Sequence, residues 1–199
     1  MDNESKKRIV FKEFFRKIIH ICAAFVPLFL KFTFWPVIIF LVFMAILYSV
    51  SEICRLKGKS IPLISKITSL AARDSENNHF VAGPLFMVFG ILFSILVFPQ
   101  NCATAGIFAL AFGDGFASLI GRSFGKIKIP FLKNKTVEGC SACFLAVFVS
   151  VLCLSRNLPL SLLIAVFTTL IEALPLGALD NFFIPVVISA IYMLLNFLL

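Results

Sequence analysis

Three carboxylates of this 199-residue chain stand inside, or at the edge of, long apolar runs. Asp114 lies within one run, about two helical turns from its polar end, and Glu52 and Glu172 lie near the ends of two others. An ionisable group inside a membrane span costs about 2.5–3.5 kcal/mol on insertion scales and commonly serves a function. Asp114 also stands between Gly113 and Gly115, and glycine lets a ligand or a neighbouring helix approach closely. We therefore expect Asp114 to lie at a functional site.

A basic loop follows Asp114. It covers residues 126–139, contains four lysines together with Glu138, and is preceded by Arg122. Lysine and arginine side chains neutralise phosphate groups, while carboxylates hold a magnesium ion that bridges phosphate oxygens. A carboxylate cluster beside this loop therefore predicts a site for Mg²⁺ and a nucleotide phosphate. The GxxxxGK[ST] and GxGxxG patterns are absent from the sequence, which disfavours the common soluble nucleotide-binding folds.

Further polar residues lie at the polar ends of the apolar runs. Glu52 and Arg55 are three residues apart, a spacing that lets two side chains meet on a helix. His20 is interpreted either as a structural histidine or as part of the site. The further candidates are Arg16, Lys17, His20, Glu52, Arg55, Arg73, Glu76, Glu172, Asp180 and Asn181.

The composition indicates which kind of scaffold must position these residues. Hydrophobic residues make up 60% of the chain and charged residues 14%, against about 25% charged residues in a soluble domain. A membrane-spanning helix needs about 20 mostly apolar residues. The runs that qualify lie at about 14–32, 34–54, 83–98, 102–121, 137–154, 158–174 and 182–198. We therefore predict an all-α, polytopic membrane bundle of about seven transmembrane helices, a single domain over residues 1–199 with a basic arm at 1–13.

The distribution of charge predicts the orientation of the bundle. All but two of the 18 lysines and arginines fall in the N-terminal arm and in the loops after the second and fourth runs, and the exceptions are Lys31 and Arg156. The positive-inside rule then places the N-terminus in the cytoplasm, so the basic excess sets orientation and does not indicate nucleic-acid binding. The ten acidic residues lie toward the same side. We therefore expect a multi-pass protein of the cell membrane with its active site on the cytoplasmic side.

Five segments together resemble the family of CTP-dependent lipid kinases. They are RKIIH (16–20), SEICR (51–55), GDGFASLIGRSFGKIKIP (113–130), KTVEG (135–139) and EALPLGALDNFFIP (172–185). That family includes dolichol, polyprenol and phytol kinases and CTP-dependent diacylglycerol kinases, and is distantly related to the phosphatidate cytidylyltransferases. The resemblance implies a multi-pass enzyme that transfers the γ-phosphate of CTP to a membrane lipid alcohol.

The residues and the resemblance together lead us to expect roles for individual residues. The catalytic set would be Asp114, Lys135, Asp180 and His20, with a carboxylate or His20 taking the proton of the lipid hydroxyl. Mg²⁺ would be held by Asp114, Asp180 and Glu138. Residues at the nucleotide would be Gly113, Gly115, Arg122, Lys133, Lys135, Glu138, Gly139 and Asn181.

The residues leave two alternative functions open. A phosphatidate cytidylyltransferase, which makes CDP-diacylglycerol from CTP, would use similar groups. A small ion-coupled transporter would also place acidic residues in the membrane, but it predicts polar residues throughout the bilayer, and the external half of this chain is nearly free of charge. The sequence does not select one lipid alcohol and carries no signal for the oligomeric state.

Overall fold

The protein is an all-α bundle, as predicted. The computed structural model describes residues 3–58, 79–130, 132 and 135–199. Across these ranges the helices are α1 (Asn3–Cys22), α2 (Val26–Leu30), α3 (Phe34–Leu56), α4 (Gly83–Val97), α5 (Gln100–Phe108), α6 (Gly115–Phe124), α7 (Val137–Ser155), α8 (Leu158–Ala173) and α9 (Asp180–Leu198). A π-helix at Ala109–Asp114 joins α5 to α6, and 3-10 turns cover Ala23–Phe25 and Gly177–Leu179.

Six of the predicted segments coincide with helices to within a few residues. Four helical stretches are long and apolar enough to cross a membrane, namely Phe34–Leu56, Gln100–Phe124, Val137–Ser155 and Gly177–Leu198. The stretches Gly83–Val97 and Leu158–Ala173 are apolar but shorter. The predicted segment 14–32 differs, because α1 ends at Cys22 and a 3-10 turn separates it from the short α2. Pro27, which lacks an N–H, lies in the first turn of α2, where that loss costs little.

The outer surface of the bundle is largely apolar, and several charged groups lie inside it. On α3, Ile39 is 65% exposed and Phe40 is 59% exposed, whereas Glu52 of the same helix is 1% exposed. This arrangement reverses that of a water-soluble protein, in which charged residues are almost never fully buried unless paired. The exposed apolar faces fit contact with lipid, so the structure is that of a membrane protein.

Small residues and capping side chains set how the helices meet. A Cβ atom on Gly106 of α5 would lie 2.1 Å from the backbone oxygen of Pro185, so glycine lets α5 and α9 pack in direct contact. Thr136 accepts a hydrogen bond from the backbone N–H of Gly139 (3.2 Å) and caps α7. Asn157 caps α8 in the same way through the N–H of Leu160 (3.1 Å). The tight turn between α7 and α8 makes them antiparallel neighbours.

The antiparallel packing brings several helix ends together. Five helices border one cavity. They contribute part of α6, the start of α7, the end of α8, the start of α9 and one face of α1. Lys31 and Arg156, which the charge pattern places in the sparsely charged loops, do not border it. The polar residues singled out from the sequence therefore have a common meeting point at one end of the bundle.

Candidate active site

The centre of the site is a buried cluster of Lys17, His20 and Asp114. The Lys17 ammonium donates a hydrogen bond to Asp114 Oδ2, and His20 Nδ1 lies 3.2 Å from the same oxygen. The side chains of Lys17 and Asp114 are 4% and 6% exposed. Lys17 and His20 share one face of α1 because residues three apart lie side by side on a helix. The Asp114 carboxylate is thus already neutralised by groups of α1.

Local backbone structure explains how Asp114 reaches α1. Asp114 ends the π-helix, a conformation that is rare and frequently found at functional sites. A Cβ on Gly115 would lie 2.9 Å from Ile21 Cγ1 of α1, and a Cβ on Gly113 would lie 2.9 Å from Val147 Cγ2 of α7. The two glycines therefore let helices approach on both sides of Asp114. Neither glycine lines the cavity, so the structure gives them a packing role where the sequence predicted contact with the nucleotide.

A second buried ion pair joins Lys135, just before α7, to Glu172 in the last turn of α8. The Lys135 ammonium donates to Glu172 Oε1 and to the backbone oxygen of Glu172 (2.6 Å). Among the described residues, Glu172 Oε2 is buried without a hydrogen-bond partner. A buried carboxylate oxygen of this kind is suited to bind an ion, a water molecule or a ligand.

The two ion pairs border a cavity of about 300 Å³ at the end of the bundle, which we call the larger cavity. This volume is at the lower end of the range of about 300–1,000 Å³ for small-molecule sites. Ser118, Thr136, Gly121 and Gly139 provide part of its wall. Among the residues that the structure describes, its charged lining has four cationic members, Arg16, Lys17, Arg122 and Lys135, and four acidic members, Glu13, Asp114, Glu172 and Asp180.

Glu13 and Ser118 belong to this site although the sequence analysis missed them. Glu13 Oε1 accepts hydrogen bonds from Arg16 Nη2 (2.6 Å) and from Ser118 Oγ (3.0 Å), and Arg122 Nη2 lies 3.4 Å from Glu13 Oε2. The spacing of Glu13 and Ser118 in the sequence could have indicated both residues. Glu13, Lys17 and His20 follow the helical period on α1, and Ser118 stands four residues from both Asp114 and Arg122 on α6.

A second, smaller cavity of about 60 Å³ adjoins the first. Both cavities are lined by Arg16, Lys17, Gly177 and Asp180, so these residues lie at the boundary between them. The remaining lining of the smaller cavity includes His20, Asn181 and the apolar Ile19, Val81, Pro84 and Met87. Asn181 donates a hydrogen bond to the backbone oxygen of Gly83 (3.1 Å). The structure therefore places Asn181 at the smaller cavity and not beside the larger one.

Glu138 does not join the other carboxylates. Its Oε1 accepts hydrogen bonds from the backbone N–H groups of Lys126 (2.9 Å) and Ile127 (3.2 Å), and it does not line the larger cavity. The carboxylate instead fixes the start of the basic loop against the start of α7. The predicted pairing of Glu138 with Asp114 at one metal ion is therefore not the arrangement found. Three further candidates, Arg73, Glu76 and Lys133, lie outside the described residues.

Glu52 and Arg55 form an ion pair away from the larger cavity. Arg55 Nη2 donates to Glu52 Oε1 (2.7 Å) and to the backbone oxygen of His79 (2.8 Å). The N–H of Val81 donates to Glu52 Oε1 (2.8 Å). This pair therefore fixes the segment that leads into α4, and Val81 of that segment lines the smaller cavity.

The fold and the site together define a polytopic helical membrane protein with a buried cluster of charged residues at one end of the bundle. Comparison with known proteins finds lipid kinases among the proteins that the chain resembles. The chain is 29% identical over 228 residues to the probable chloroplastic phytol kinase of Triticum aestivum, a match that covers 98% of this chain and 71% of the relative. It is 29% identical over 154 residues to the probable chloroplastic phytol kinase 2 of Glycine max, covering 74% of this chain and 48% of the relative.

A fungal relative has a different name within the same class. The CTP-dependent diacylglycerol kinase 1 of Saccharomyces cerevisiae is 26% identical over 136 residues, covering 65% of this chain and 46% of the relative. The chain thus spans about half the length of the soybean and yeast relatives. These similarities support a relation to the CTP-dependent lipid kinases, which are phosphotransferases.

Two further findings complete the comparison. No family model and no solved structure matches the chain. The plant relatives are described as chloroplastic, so they do not support the expected location in the cell membrane.

Proposed function

We propose that the chain is a lipid kinase that binds CTP in the larger cavity and transfers its γ-phosphate to a membrane lipid alcohol, of the polyprenol, phytol or diacylglycerol class. The observation that carries the proposal is the lining of this cavity, where four cationic side chains and a buried, unpartnered oxygen of Glu172 meet at one end of a membrane bundle. The names of the relatives, phytol kinases and a CTP-dependent diacylglycerol kinase, agree with it.

The balance of charge in the larger cavity favours a nucleotide that arrives with a cation. Four acidic residues already offset the four cationic ones, so a bare triphosphate would add uncompensated negative charge to a partly desolvated site. A divalent ion bound together with the nucleotide would supply positive charge and remove this penalty. Lys135 and Arg122 would then contact the remaining phosphate oxygens as charged donors.

The residues of the larger cavity suit a magnesium ion that binds together with a nucleotide. Within the described ranges, no group of three or more His, Cys, Asp and Glu side chains is placed to hold a metal ion. Magnesium at kinase sites commonly takes one or two carboxylates and completes its shell with phosphate oxygens and water. Asp180 and Glu172 Oε2 would be those carboxylates, since Asp114 is engaged by Lys17 and His20. Bound magnesium would neutralise charge on the transferred phosphate.

The position of the cavity agrees with a membrane substrate and a soluble donor. It lies at the end of the bundle formed by the basic loop before α7, which the positive-inside rule assigns to the cytoplasmic side of the membrane. CTP would enter from that side, and the lipid alcohol would approach from within the bilayer.

The test uses the purified full chain in lipid nanodiscs with CTP labelled at either the α- or the γ-phosphate. We expect the γ-label, and not the α-label, to appear in lipid when polyprenol, phytol or diacylglycerol is present with Mg²⁺, and to disappear on chelation. Transfer of the α-label would instead show a cytidylyltransferase, and no label from either donor with any of these lipids would refute the proposal. Lys31→Gln, at the opposite end of the bundle, is a control that should retain full transfer.

A further inference from the structure

We propose that the smaller cavity receives the hydroxyl end of the lipid acceptor, so that acceptor and nucleotide meet across the residues that the two cavities share. This inference rests on the proposed function of the larger cavity. The shared residues include Lys17 and Asp180, which line both spaces. A phosphate bound in the larger cavity would therefore lie next to a hydroxyl bound in the smaller one.

The lining of the smaller cavity suits one end of an amphipathic molecule. One side is polar, with His20 and Asn181, and the other is apolar, with Ile19, Pro84 and Met87. Its volume of about 60 Å³ is too small for a nucleoside. A cavity needs about 10–15 Å³ of such volume to hold one water molecule, so the space takes a hydroxyl group and the first carbons of a chain.

The helices on either side of this cavity have their main contacts elsewhere. Helix α1 packs mainly against α6 and the π-helix, whereas α4 packs against α3, α5 and α9. The cavity lies between α1 and α4, with the start of α9 as its third side. An acceptor whose hydroxyl occupies the cavity would therefore extend its hydrocarbon chain between two helices that are not each other's main packing partners.

His20 is placed to serve the acceptor hydroxyl. Its Nδ1 lies 3.2 Å from Asp114 Oδ2, and with the ring proton on Nδ1 the other nitrogen, Nε2, would accept the hydrogen bond of the acceptor hydroxyl. In the transfer, the acceptor oxygen forms a bond to the terminal phosphorus, the bond from that phosphorus to the bridging oxygen breaks, and the nucleoside diphosphate leaves. The hydroxyl proton passes to His20 Nε2 and then to water.

Another apolar space on the surface is the alternative site for the lipid acceptor. A groove of about 550 Å³ runs between the π-helix, α6 and α7, lined by residues that include Phe112, Phe116 and Ala146. It shares no lining residue with the larger cavity, whereas the smaller cavity shares four. The smaller cavity is therefore the better acceptor site, and the groove supplies a control.

Three tryptophan substitutions separate these possibilities. Met87→Trp fills the smaller cavity, Ala146→Trp fills the groove, and Phe89→Trp changes a 49%-exposed position on the same helix as Met87. We expect Met87→Trp to raise the KM for the lipid alcohol at least tenfold while the Kd for CTP, measured without lipid, stays unchanged. Ala146→Trp and Phe89→Trp should leave both constants unchanged. Met87→Ala, which does not crowd the helices, should alter the preference among acceptors of different bulk next to the hydroxyl.

The inference is overturned if Ala146→Trp raises the lipid KM while Met87→Trp does not, or if Met87→Trp weakens CTP binding as strongly as lipid binding.

A second measurement tests the acceptor site independently of the proposed kinase activity. A photoreactive diazirine analogue of phytol, with the reactive group beside the hydroxyl, should label peptides of α1 and α4 even without nucleotide. Labelling of α6 and α7 instead would refute the acceptor site, whereas absence of any phosphate transfer refutes the kinase.

Discussion

The buried pair of Lys17 and Asp114 gives the sharpest test of the site. We consider a double-mutant cycle of Lys17→Met, Asp114→Asn and the variant with both changes. Methionine keeps the length of the lysine chain without its charge, and asparagine keeps the shape of aspartate. The cycle asks whether these residues, 97 positions apart in sequence, form one energetic unit.

The magnitude follows from burial. With 4% and 6% exposure, neither side chain reaches bulk water when its partner is removed. Breaking a buried ion pair on one side costs about 3–5 kcal/mol of unfolding free energy, because a charge stays buried without compensation. The loss of unfolding free energy in Asp114→Asn should lie at the lower end of this range, because the amide oxygen still accepts a hydrogen bond from Lys17. Removing both charges should cost clearly less than the sum of the single changes, which gives a coupling of at least about 2 kcal/mol.

The assay combines reversible unfolding in mixed detergent micelles with phosphate transfer from γ-labelled CTP. We expect the double variant to recover much of the stability lost in the single variants but to remain at least 100-fold slower than the unaltered protein. A coupling below about 0.5 kcal/mol would show that the two residues are independent and would refute the ion pair. A double variant that is stable and fully active would refute the assignment of this pair to the site.

Three further changes probe other parts of the site. Lys135→Gln should weaken CTP binding about tenfold or more in calorimetric titration, because a hydrogen bond to a charged group is worth about 1.5–3 kcal/mol. The exposed control Lys128→Gln should leave CTP binding unchanged. Gly139→Ala should lower the unfolding free energy by about 1–3 kcal/mol, because its Cβ would lie 2.8 Å from a backbone oxygen of α6. Gly83→Ala, with its nearest contact at 3.4 Å, should change stability much less. Glu52→Gln should raise the KM for the lipid alcohol more than that for CTP, because it loosens the segment leading into α4.

Each of these predictions has a result that would contradict it. Equal loss of CTP affinity in both lysine variants would mean that Lys135 acts only through the general charge of the loop. Equal destabilisation by the two glycine substitutions would remove the argument for a close crossing of α6 and α7. An unchanged lipid KM in the Glu52 variant would separate that ion pair from the acceptor site.

Most of the helices could be predicted because a membrane-spanning helix has a simple sequence pattern. A run of about 20 apolar residues is the length that a helix needs to cross the bilayer, and here the runs begin beside capping residues such as Thr136 and Asn157. The segment 14–32 is helical over most of its length but is not one continuous α-helix, because a 3-10 turn at Ala23–Phe25 separates α1 from α2. Summed hydropathy also does not register that Lys17 and His20 share one face of α1, which turns toward Asp114.

The site was predictable as a set of residues but not as a set of contacts. Asp114, Lys135 and Asp180 do line one cavity. Lys135 and Asp180 stand where α7 and α9 begin, whereas Asp114 lies at the junction of the π-helix and α6. Which partner each one takes depends on tertiary packing, and sequence spacing does not record it. Glu138 illustrates this, since backbone N–H groups of the adjacent loop occupy its carboxylate.

The lengths of two helices link the fold to the proposed reaction. Helix α4 has 15 residues and α8 has 16, and at 1.5 Å per residue each spans roughly 22–24 Å, less than the hydrocarbon core of about 30 Å. The first residue of α4, Gly83, lines the smaller cavity, and Glu172 near the end of α8 lines the larger one. Both helices therefore stop short at the polar site. In the proposed reaction, this arrangement would let a lipid hydroxyl react without leaving the bilayer, while the charged nucleotide would stay at the end of the bundle that faces water.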